Sequence, residues 1–349
     1  MSEPTQLPLH PHATPVQPAP TEVKTKILIV SDTHGKTWVN PWESFPHEAV
    51  DVAIHCGDFT ERSTLTEIKQ QMLSFGSVKA GLKLVIPGDC DGTLDLTTSK
   101  RRYHEAGRAD ALDFGNYGDG KKLFERPFER KDGVDVADGV GVCGKPNIHF
   151  LCPGNHDFIL KNGAKLKVYA NSYTPSDTGA GAFEFKRGER FHYEIEDNVD
   201  VVITHGPPKG VLDRNWNGTR RGCDHLLTAV AKARPLLHCF GHIHHNHGIR
   251  IGTWASGNEA TYRAPTEALD NPFSARGNQV RYVGPDQHNL RPGEQTLFVN
   301  AAVLGADGRP THPPWIVEIG LPLASQSSYA EKYEKFFSTV ETPVSGKMP

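Results

Sequence analysis

The sequence lacks several features that would place it in common classes of protein. No apolar run approaches the roughly 18 residues of a membrane-spanning helix, and the N-terminus has no charged-then-apolar signal pattern. The net charge is only −3, so neither nucleic acid nor an anionic membrane is an expected partner. The six cysteines lack the paired spacing of a disulfide framework or zinc knuckle. We therefore expect a soluble protein of a reducing compartment, located in the cytoplasm.

Histidine is the residue type that stands out, with 18 among 349 residues and several directly after apolar runs. Two of them lie in a Pro-rich N-terminal tail, residues 1–23, which we expect to be disordered. Residues 323–349 form a C-terminal tail. Residues 24–322 suit one large domain with an ample core. Two Gly-rich, weakly periodic insertions interrupt it near residues 100–147 and 255–292.

Short apolar runs alternate with a helical pattern in the first third of the chain. Strands are predicted at Lys26–Ser31, Val50–His55 and Leu82–Ile86, and a helix is predicted over Ser63–Phe75. Continuous apolar strands of this kind are typical of sheets covered on both faces. Each strand ends in polar residues, and open α/β sheets bind ligands at the carboxyl ends of their strands.

The second half of the chain predicts more strands of two kinds. Val199–Thr204 and Pro235–Phe240 are continuous apolar runs, and each ends directly before a histidine motif. Phe191–Ile195 alternates apolar and polar residues, which predicts a half-buried antiparallel strand. The overall pattern indicates a mixed α and β fold with its polar residues gathered at strand ends.

Loops at the strand ends carry side chains that bind divalent cations. Two cations held close together need a shared carboxylate to offset their repulsion, and imidazoles or carboxylates to complete each shell. One such motif arises often by chance, but a series in order, each after an apolar strand, indicates a metal site. The uncontested ligand candidates are Asp32, His34, Asp58, His205, His242 and His244.

The order Asp-x-His, Gly-Asp, Gly-Asn-His-Asp/Glu, His and Gly-His-x-His resembles the calcineurin-like metallophosphoesterase superfamily, over roughly residues 24–321. Thr204–Pro208, Gly222-Cys223, Phe240–His244 and Val299–Ala301 resemble its metallophosphoesterase-domain-containing, UPF0046-type branch. Fungal members with Pro-rich N-terminal tails are the most similar. The resemblance implies a four-layer αββα sandwich, with the site in the loops between the two sheets.

The resemblance also implies a role for each ligand. Asp32, His34 and His244 would hold the first metal, Asp58 would bridge, and His205 and His242 would hold the second. A hydroxide bridging the metals would attack phosphorus, and a histidine beside an Asn ligand would protonate the leaving oxygen. The implied cofactors are two divalent ions, Mn, Fe, Zn or Ni. The expected partner is a small anionic substrate, and the oligomeric state is left open.

Two segments compete for the Asn-His position. Gly154–Asp157 matches the motif letter for letter, with Asn155 as the ligand and His156 and Asp157 beside it. Gly88–Asp91 has Asp89 in place of the Asn, followed by Cys90 and Asp91. We predict that Asp89 is the ligand, because only one helix and one buried strand separate it from Asp58, and its flanks resemble the branch. Gly154–Asp157 then falls in a loop that carries no ligand in the family. Cys90 and Asp91 are the catalytic candidates, with His156 and Asp157 as the alternative, and Cys90 could instead pack inertly or ligate a metal.

Three functional hypotheses follow. The first is a dinuclear-metal-dependent hydrolase of a phosphoester, of the phosphodiesterase or phosphatase class. The second keeps the fold and metal site but performs different chemistry in small-molecule, secondary metabolism, because the Cys90 thiol cannot act as an imidazolium. The third is a catalytically silent binding module, and the six retained ligand candidates argue against it. Two further residues are of interest: His55 is predicted to be a hydrogen-bonded core histidine, and Asn300 is a candidate support for the ligands.

Overall fold

Two β-sheets form the centre of the fold. The computed structural model describes residues 22–37, 49–105, 111–116, 118–125, 148–254, 267–268, 281–284, 290–305 and 307–324. The strands within those residues are β1 (Glu22–Val30), β2 (Val50–Cys56), β3 (Ala80–Ile86), β4 (Ile148–Phe150), β5 (Gly154–Ile159), β6 (Lys165–Asn171), β7 (Thr174–Ser176), β8 (Glu184–Lys186), β9 (Val201–Thr204), β10 (Leu237–Phe240), β11 (Gly248–Thr253), β12 (Glu267–Ala268), β13 (Arg281–Val283), β14 (Gln295–Asn300) and β15 (Trp315–Pro322). The helices are α1 (Leu65–Gly76), α2 (Leu96–Glu105), α3 (Ala111–Phe114), α4 (Asp119–Glu125) and α5 (Asp224–Ala233), with a short 3-10 helix at His244–Asn246.

Parallel strands occupy the middle of both sheets. The first sheet has the order β13-β15-β1-β2-β3-β4, in which β1 to β4 run parallel and β15 runs antiparallel to β1. The second has the order β12-β11-β14-β10-β9-β6-β5, with β14, β10, β9 and β6 parallel. The strands β7 and β8 form a separate small pair. Parallel neighbours bring their carboxyl ends to the same edge, which is where the polar loops follow.

Hydrophobic side chains fill three layers of core. Ile27 and Ile29 point between the two sheets, where they join a buried cluster that includes Val201. Leu28 lies on the opposite face of β1 and packs in the cluster that α1 covers. Helix α5 covers the outer face of the second sheet. Because the central strands are buried on both faces, their sequences are largely apolar. The architecture is therefore a helix–sheet–sheet–helix sandwich, as the resemblance implied.

One predicted strand is absent and one predicted loop is a strand. Phe191–Ile195 has no regular secondary structure. Its alternating apolar residues pack one-sidedly over the second sheet; Phe191 stacks on Phe185 with ring centroids 4.3 Å apart. The alternating pattern of this segment therefore reflects burial of one side of the chain, without the backbone hydrogen bonds of a β-strand. Gly154–Asp157, predicted as a loop, lies in β5 and pairs antiparallel with β6.

The insertions and tails fall largely outside the described residues. In the first insertion the structure describes α3, α4 and the end of α2, and in the second it describes β12 and β13. Strand β1 begins at Glu22, two residues before the predicted start of the domain, and pairs there with Pro322. None of the helices in the described part of the chain combines the length and apolar character needed to cross a bilayer.

Candidate metal centre

The predicted ligands converge where strands of the two sheets end. Asp32 and His34 follow β1, and Asp58 follows β2; the third loop follows β3. His205 follows β9, and the loop with His242 follows β10. Backbone hydrogen bonds join these loops within and between the sheets, such as Ser31 N to the Ala301 carbonyl at 2.9 Å and Asp32 N to the Gly57 carbonyl at 2.9 Å. Each sheet therefore supplies part of one site.

The first cluster consists of Asp32, His34 and His244, whose ligand atoms all lie within 4.8 Å of one another. His244 Nε2 is 3.2 Å from Asp32 Oδ1 and 3.4 Å from His34 Nε2. The backbone N–H of His242 donates to both Asp32 oxygens, each at 3.0 Å. This contact ties the loop after β10 to the loop after β1, so Asp32 has a fixed orientation.

The second cluster consists of Asp89, His205 and His242. Asp89 Oδ1 lies 2.7 Å from His205 Nε2 and 3.0 Å from His242 Nδ1. His205 Nδ1 is 2.9 Å from the carbonyl oxygen of Cys56. A carbonyl only accepts, so Nδ1 must carry the proton, and this contact directs Nε2 towards Asp89.

Asp58 lies between the two clusters. Its Oδ2 is 3.3 Å from His34 Nε2, and its Oδ1 is 3.4 Å from His205 Nε2. One carboxylate thus presents an oxygen to each side. A shared carboxylate between two sets of imidazoles is the arrangement that a pair of divalent cations requires, because its charge offsets their repulsion.

The structure brings Asp89 to these clusters and places Asn155 elsewhere. Asn155 lies on β5, at the edge of the second sheet. Its amide nitrogen donates to the Glu194 carbonyl at 2.8 Å, and its amide oxygen accepts from Glu196 N at 3.3 Å. The side chain is therefore engaged with a neighbouring backbone segment at the edge of the second sheet.

The two residues after Asn155 share its position on the edge strand. His156 Nε2 lies 2.9 Å from the Cys152 carbonyl. Asp157 is exposed and pairs in register with Lys167 of β6. Gly154–Asp157 matches the motif in sequence, but it forms part of a strand. The motif residues would need to lie in a loop that follows the carboxyl end of a strand. Neither His156 nor Asp157 is brought to the site.

Cys90 lies beside the clusters, whereas Asp91 contacts the loops that carry them. The Cys90 sulfur forms a third group of close ligand atoms with His34 and Asp58, and the Cys90 N–H donates to Asp58 Oδ1 at 2.9 Å. Asp91 is fully buried and belongs to none of the ligand groups. Its carboxylate accepts hydrogen bonds from three backbone N–H groups and from the Thr60 hydroxyl. Asp91 was predicted as a catalytic candidate, but these contacts make it a residue that positions the loops.

The family model of calcineurin-like phosphoesterases matches residues 25–246 of this chain. The chain belongs to this family. Human metallophosphoesterase domain-containing protein 1 is 26% identical over 329 residues, which cover 89% of this chain and 78% of that protein. A UPF0046 protein of Caenorhabditis elegans is 28% identical over 237 residues, 65% of this chain and 72% of that protein. The predicted resemblance to this branch is confirmed.

A match of a different kind is to a probable rhamnogalacturonate lyase C of Emericella nidulans. It is 31% identical over 247 residues, which cover 69% of this chain. The chain spans only 19% of the length of that protein.

Electrostatics at the two clusters favour the ionised forms of Asp32 and Asp89. Burial raises the pKa of Asp32, but the hydrogen bond from His244 and the charges of nearby imidazoles outweigh it, so the pKa falls well below its ordinary value. Asp89 behaves alike: burial opposes ionisation, and His242 and His205 together lower its pKa. Conversely, burial lowers the pKa of His205, but Asp58 and Asp89 raise it well above its ordinary value. Ionised carboxylates are the form that binds cations.

The backbone at the site is held in an unfavourable conformation. Asp32, His34, Asp58 and His242 all have positive φ, at 55°, 44°, 52° and 65°. Side-chain-bearing residues adopt this region at a cost of about 1–3 kcal/mol each, and such residues concentrate at functional sites. A Cβ on Gly241 would overlap the Asp32 carboxylate, so this close approach of two loops requires glycine.

Buried polar side chains that the motif does not contain support the ligand loops. Thr33, between the ligands Asp32 and His34, has its hydroxyl 3.0 Å from His55 Nε2, as predicted for a hydrogen-bonded core histidine. Asn300 donates to the Ile243 carbonyl at 2.9 Å, inside the His242-x-His244 loop. His238 makes the equivalent contact with Thr204, at 2.9 Å. A histidine within an otherwise apolar strand, one or a few residues before a ligand loop, is the sequence signal that would have identified His238.

Proposed function

We propose that this protein is a dinuclear-metal-dependent hydrolase that cleaves a phosphoester. The observation that carries the proposal is Asp58, one carboxylate positioned between two clusters of acidic and imidazole ligands. Membership of the calcineurin-like phosphoesterase family supports the reaction class. The first metal would be held by Asp32, His34 and His244, the second by Asp89, His205 and His242, with Asp58 shared.

The donor set fits two divalent cations. Four imidazoles and three carboxylates form a borderline-hard shell of the kind that accepts Mn, Fe, Zn or Ni. Asp89 keeps the oxygen donor that an Asn would offer and adds a negative charge. When bound, two cations lower the pKa of water to generate a nucleophile and neutralise charge on a phosphoryl group. The chain itself fixes the ligands: Cys56 orients His205, and the His242 N–H orients Asp32.

The substrate is proposed to be small and anionic. Asp32 and Asp58 are almost entirely buried, whereas the side chains of Asp89, His242 and His244 are 24%, 30% and 24% exposed. The centre is therefore open on the side of these three residues, and a phosphoester would approach there.

A second function is the same metal site performing chemistry other than phosphoester hydrolysis. The observation that favours it is Cys90, which stands where the family has a proton-donating histidine. Burial raises the pKa of the Cys90 thiol, and the nearby carboxylates of Asp58, Asp89 and Asp91 raise it further. Such a thiol is a poor proton donor at neutral pH. Hydrolysis of an ester with a poor leaving group would therefore be slow, whereas a reaction needing no proton donor at that position would proceed.

Metal analysis and a substrate panel distinguish the hypotheses. The purified full chain is loaded with Mn, Zn or Fe(II), desalted, and its metal content is measured by plasma mass spectrometry. Turnover is measured on bis(p-nitrophenyl) phosphate and on alkyl phosphodiesters. Two metals with turnover support the hydrolase, two metals without turnover support the repurposed centre, and no bound metal supports a silent binding module.

The ligand assignment has a matched pair of variants. Asp89→Ala should reduce the content to one metal per chain, because the second cluster loses its carboxylate. Asn155→Ala should retain two, since the Asn155 side chain forms hydrogen bonds with the backbone of residues 194 and 196. Loss of metal and turnover in Asn155→Ala, with Asp89→Ala unaffected, would refute the assignment.

A further inference from the structure

Cys90 has a position that protonation chemistry does not explain. Its sulfur lies within 4.8 Å of a ligand atom of His34 and of Asp58, two residues of the proposed metal centre. Its N–H donates to Asp58 Oδ1 at 2.9 Å, which fixes the backbone of Cys90 against the shared carboxylate. The side chain is half-buried. The thiol therefore faces the centre from the side of the first cluster.

We propose that Cys90 is itself a metal ligand, binding the first cation as a thiolate together with Asp32, His34, His244 and Asp58. The inference rests on the proposed dinuclear centre and adds to it a sulfur donor. The balance of the binding step is simple: the cation–sulfur bond replaces the S–H bond, and the proton leaves to solvent.

Three observations favour coordination over a free thiol. First, His34 is common to the first cluster and to the group with Cys90, so the sulfur approaches ligands that already converge. Second, the loop position is fixed, since the neighbouring Asp91 is anchored by four hydrogen bonds. Third, the Cys90 N–H donates to Asp58 Oδ1 at 2.9 Å, so the backbone holds the sulfur beside the shared carboxylate.

The other described cysteines do not offer this donor. Cys56, Cys223 and Cys239 are buried in the cores, and Cys152 is exposed after β4. Within the described residues, Cys90 is the cysteine that joins a group of potential ligands. A thiolate is a soft ligand, so the first site should prefer Zn²⁺ or Fe²⁺ to Mn²⁺ or Mg²⁺. The second cluster, with oxygen and nitrogen donors alone, should discriminate less.

Cobalt(II) loading tests the inference with a readout that is independent of activity. The full chain is loaded with Co²⁺ to saturation, the metal content is counted, and the near-ultraviolet absorption is recorded. A thiolate ligand gives an intense sulfur-to-cobalt charge-transfer band, whereas oxygen and nitrogen ligands give none. We expect the band in the wild type and in the control Cys152→Ser, and we expect its loss in Cys90→Ser with two Co²⁺ still bound.

X-ray absorption of the zinc-loaded wild type provides a measurement that needs no variant. A sulfur scatterer at about 2.3 Å from zinc is expected. Two bound metals without the band and without the sulfur scatterer would overturn the thiolate ligand and leave the dinuclear centre standing. A band that persists in Cys90→Ser would also overturn it. Fewer than two metals in the wild type would overturn the proposed function and this inference together.

Discussion

Removing the Asp91 carboxylate should destabilise the fold more than a typical point mutation. Its Oδ1 accepts from Thr60 N at 2.8 Å and from the Thr60 hydroxyl at 2.6 Å. Its Oδ2 accepts from Phe59 N at 3.0 Å and from Gly88 N at 2.8 Å. These donors belong to the loops after β2 and β3, the loops that carry Asp58 and Asp89. In Asp91→Ala all four donors lose their acceptor.

The expected magnitude follows from two opposing terms. A buried donor left without an acceptor costs about 1–3 kcal/mol, so four cost roughly 4–12 kcal/mol. Burial and the neighbouring Asp58 charge raise the pKa of Asp91 to about 6. At about 1.4 kcal/mol per pKa unit, the ionised carboxylate carries a penalty of about 3 kcal/mol that alanine would recover. The net loss for Asp91→Ala is therefore about 1–9 kcal/mol, which is large against a usual total free energy of unfolding of about 5–15 kcal/mol.

Urea unfolding at neutral pH, followed by circular dichroism, measures this loss. Asp91→Asn is the matched variant: it keeps one oxygen and replaces the other with a donor, so it should lose about half as much. Thr60→Val removes a single hydroxyl donor and should cost least. If the free energy of unfolding of Asp91→Ala lies within about 1 kcal/mol of the wild-type value, the four hydrogen bonds make no net contribution to stability and the reasoning is wrong.

Three further predictions concern the proton donor, the ligand supports and pH. Cys90→His restores an imidazole at the family's histidine position and should raise turnover of a poor-leaving-group phosphodiester by up to about 10²-fold, within the usual range of general acid catalysis; an unchanged kcat would count against the thiol as the limiting feature. Asn300→Ala frees the Ile243 carbonyl and should weaken metal binding by about 10–100-fold, with the far-ultraviolet dichroism unchanged; titration calorimetry would contradict this if the affinity stayed the same. Burial raises the pKa of Asp200 to about 6, although the Lys167 N–H hydrogen bond opposes it. The folded protein thus binds that proton more tightly than the unfolded chain, so the stability from this group is present below pH 4 and is lost as the pH rises through 6. Asp200→Asn should then stabilise the protein at pH 8 by about 1 kcal/mol, after allowance for partial exposure, and should have little effect at pH 4; equal effects at both pH values would refute the assignment.

Several of the residues that the sequence singled out directly after strands lie close together in the structure. Asp32 and His205 each follow a continuous apolar run, and the parallel topology brings such strand ends together. The same sequence does not reveal which face a residue presents. Asp91 stands at a motif position that suggests a catalytic residue. The turn between Gly88 and Asp91 instead directs its carboxylate at the N–H groups of the loops. Phe191–Ile195 alternates like a strand but finds no ladder partner.

Asp89 and Asn155 show why a residue's position in the fold can be a better guide to a site than a match to a sequence motif. Asn155 has the expected neighbours, but it lies within β5, where backbone pairing with β6 fixes it at the edge of the second sheet. Asp89 follows β3, which pairs in parallel with β2 and so ends beside Asp58. Spacing along the chain carries this information because a helix and a strand need a minimum number of residues to return to the same edge.

The division of labour in the loop after β3 explains how its ligands can vary without loss of the fold. Gly88 allows close approach to Asp58, since a Cβ there would overlap the Asp58 carboxylate and N–H, and Asp91 anchors the backbone. Neither function involves the side chains of Asp89 and Cys90, which face the ligand clusters. Exchanging those two residues therefore changes the donors of the centre while the supporting hydrogen bonds remain. At the proposed centre, a different metal preference or a different proton donor could therefore arise at this position while the hydrogen bonds to Asp91 remain.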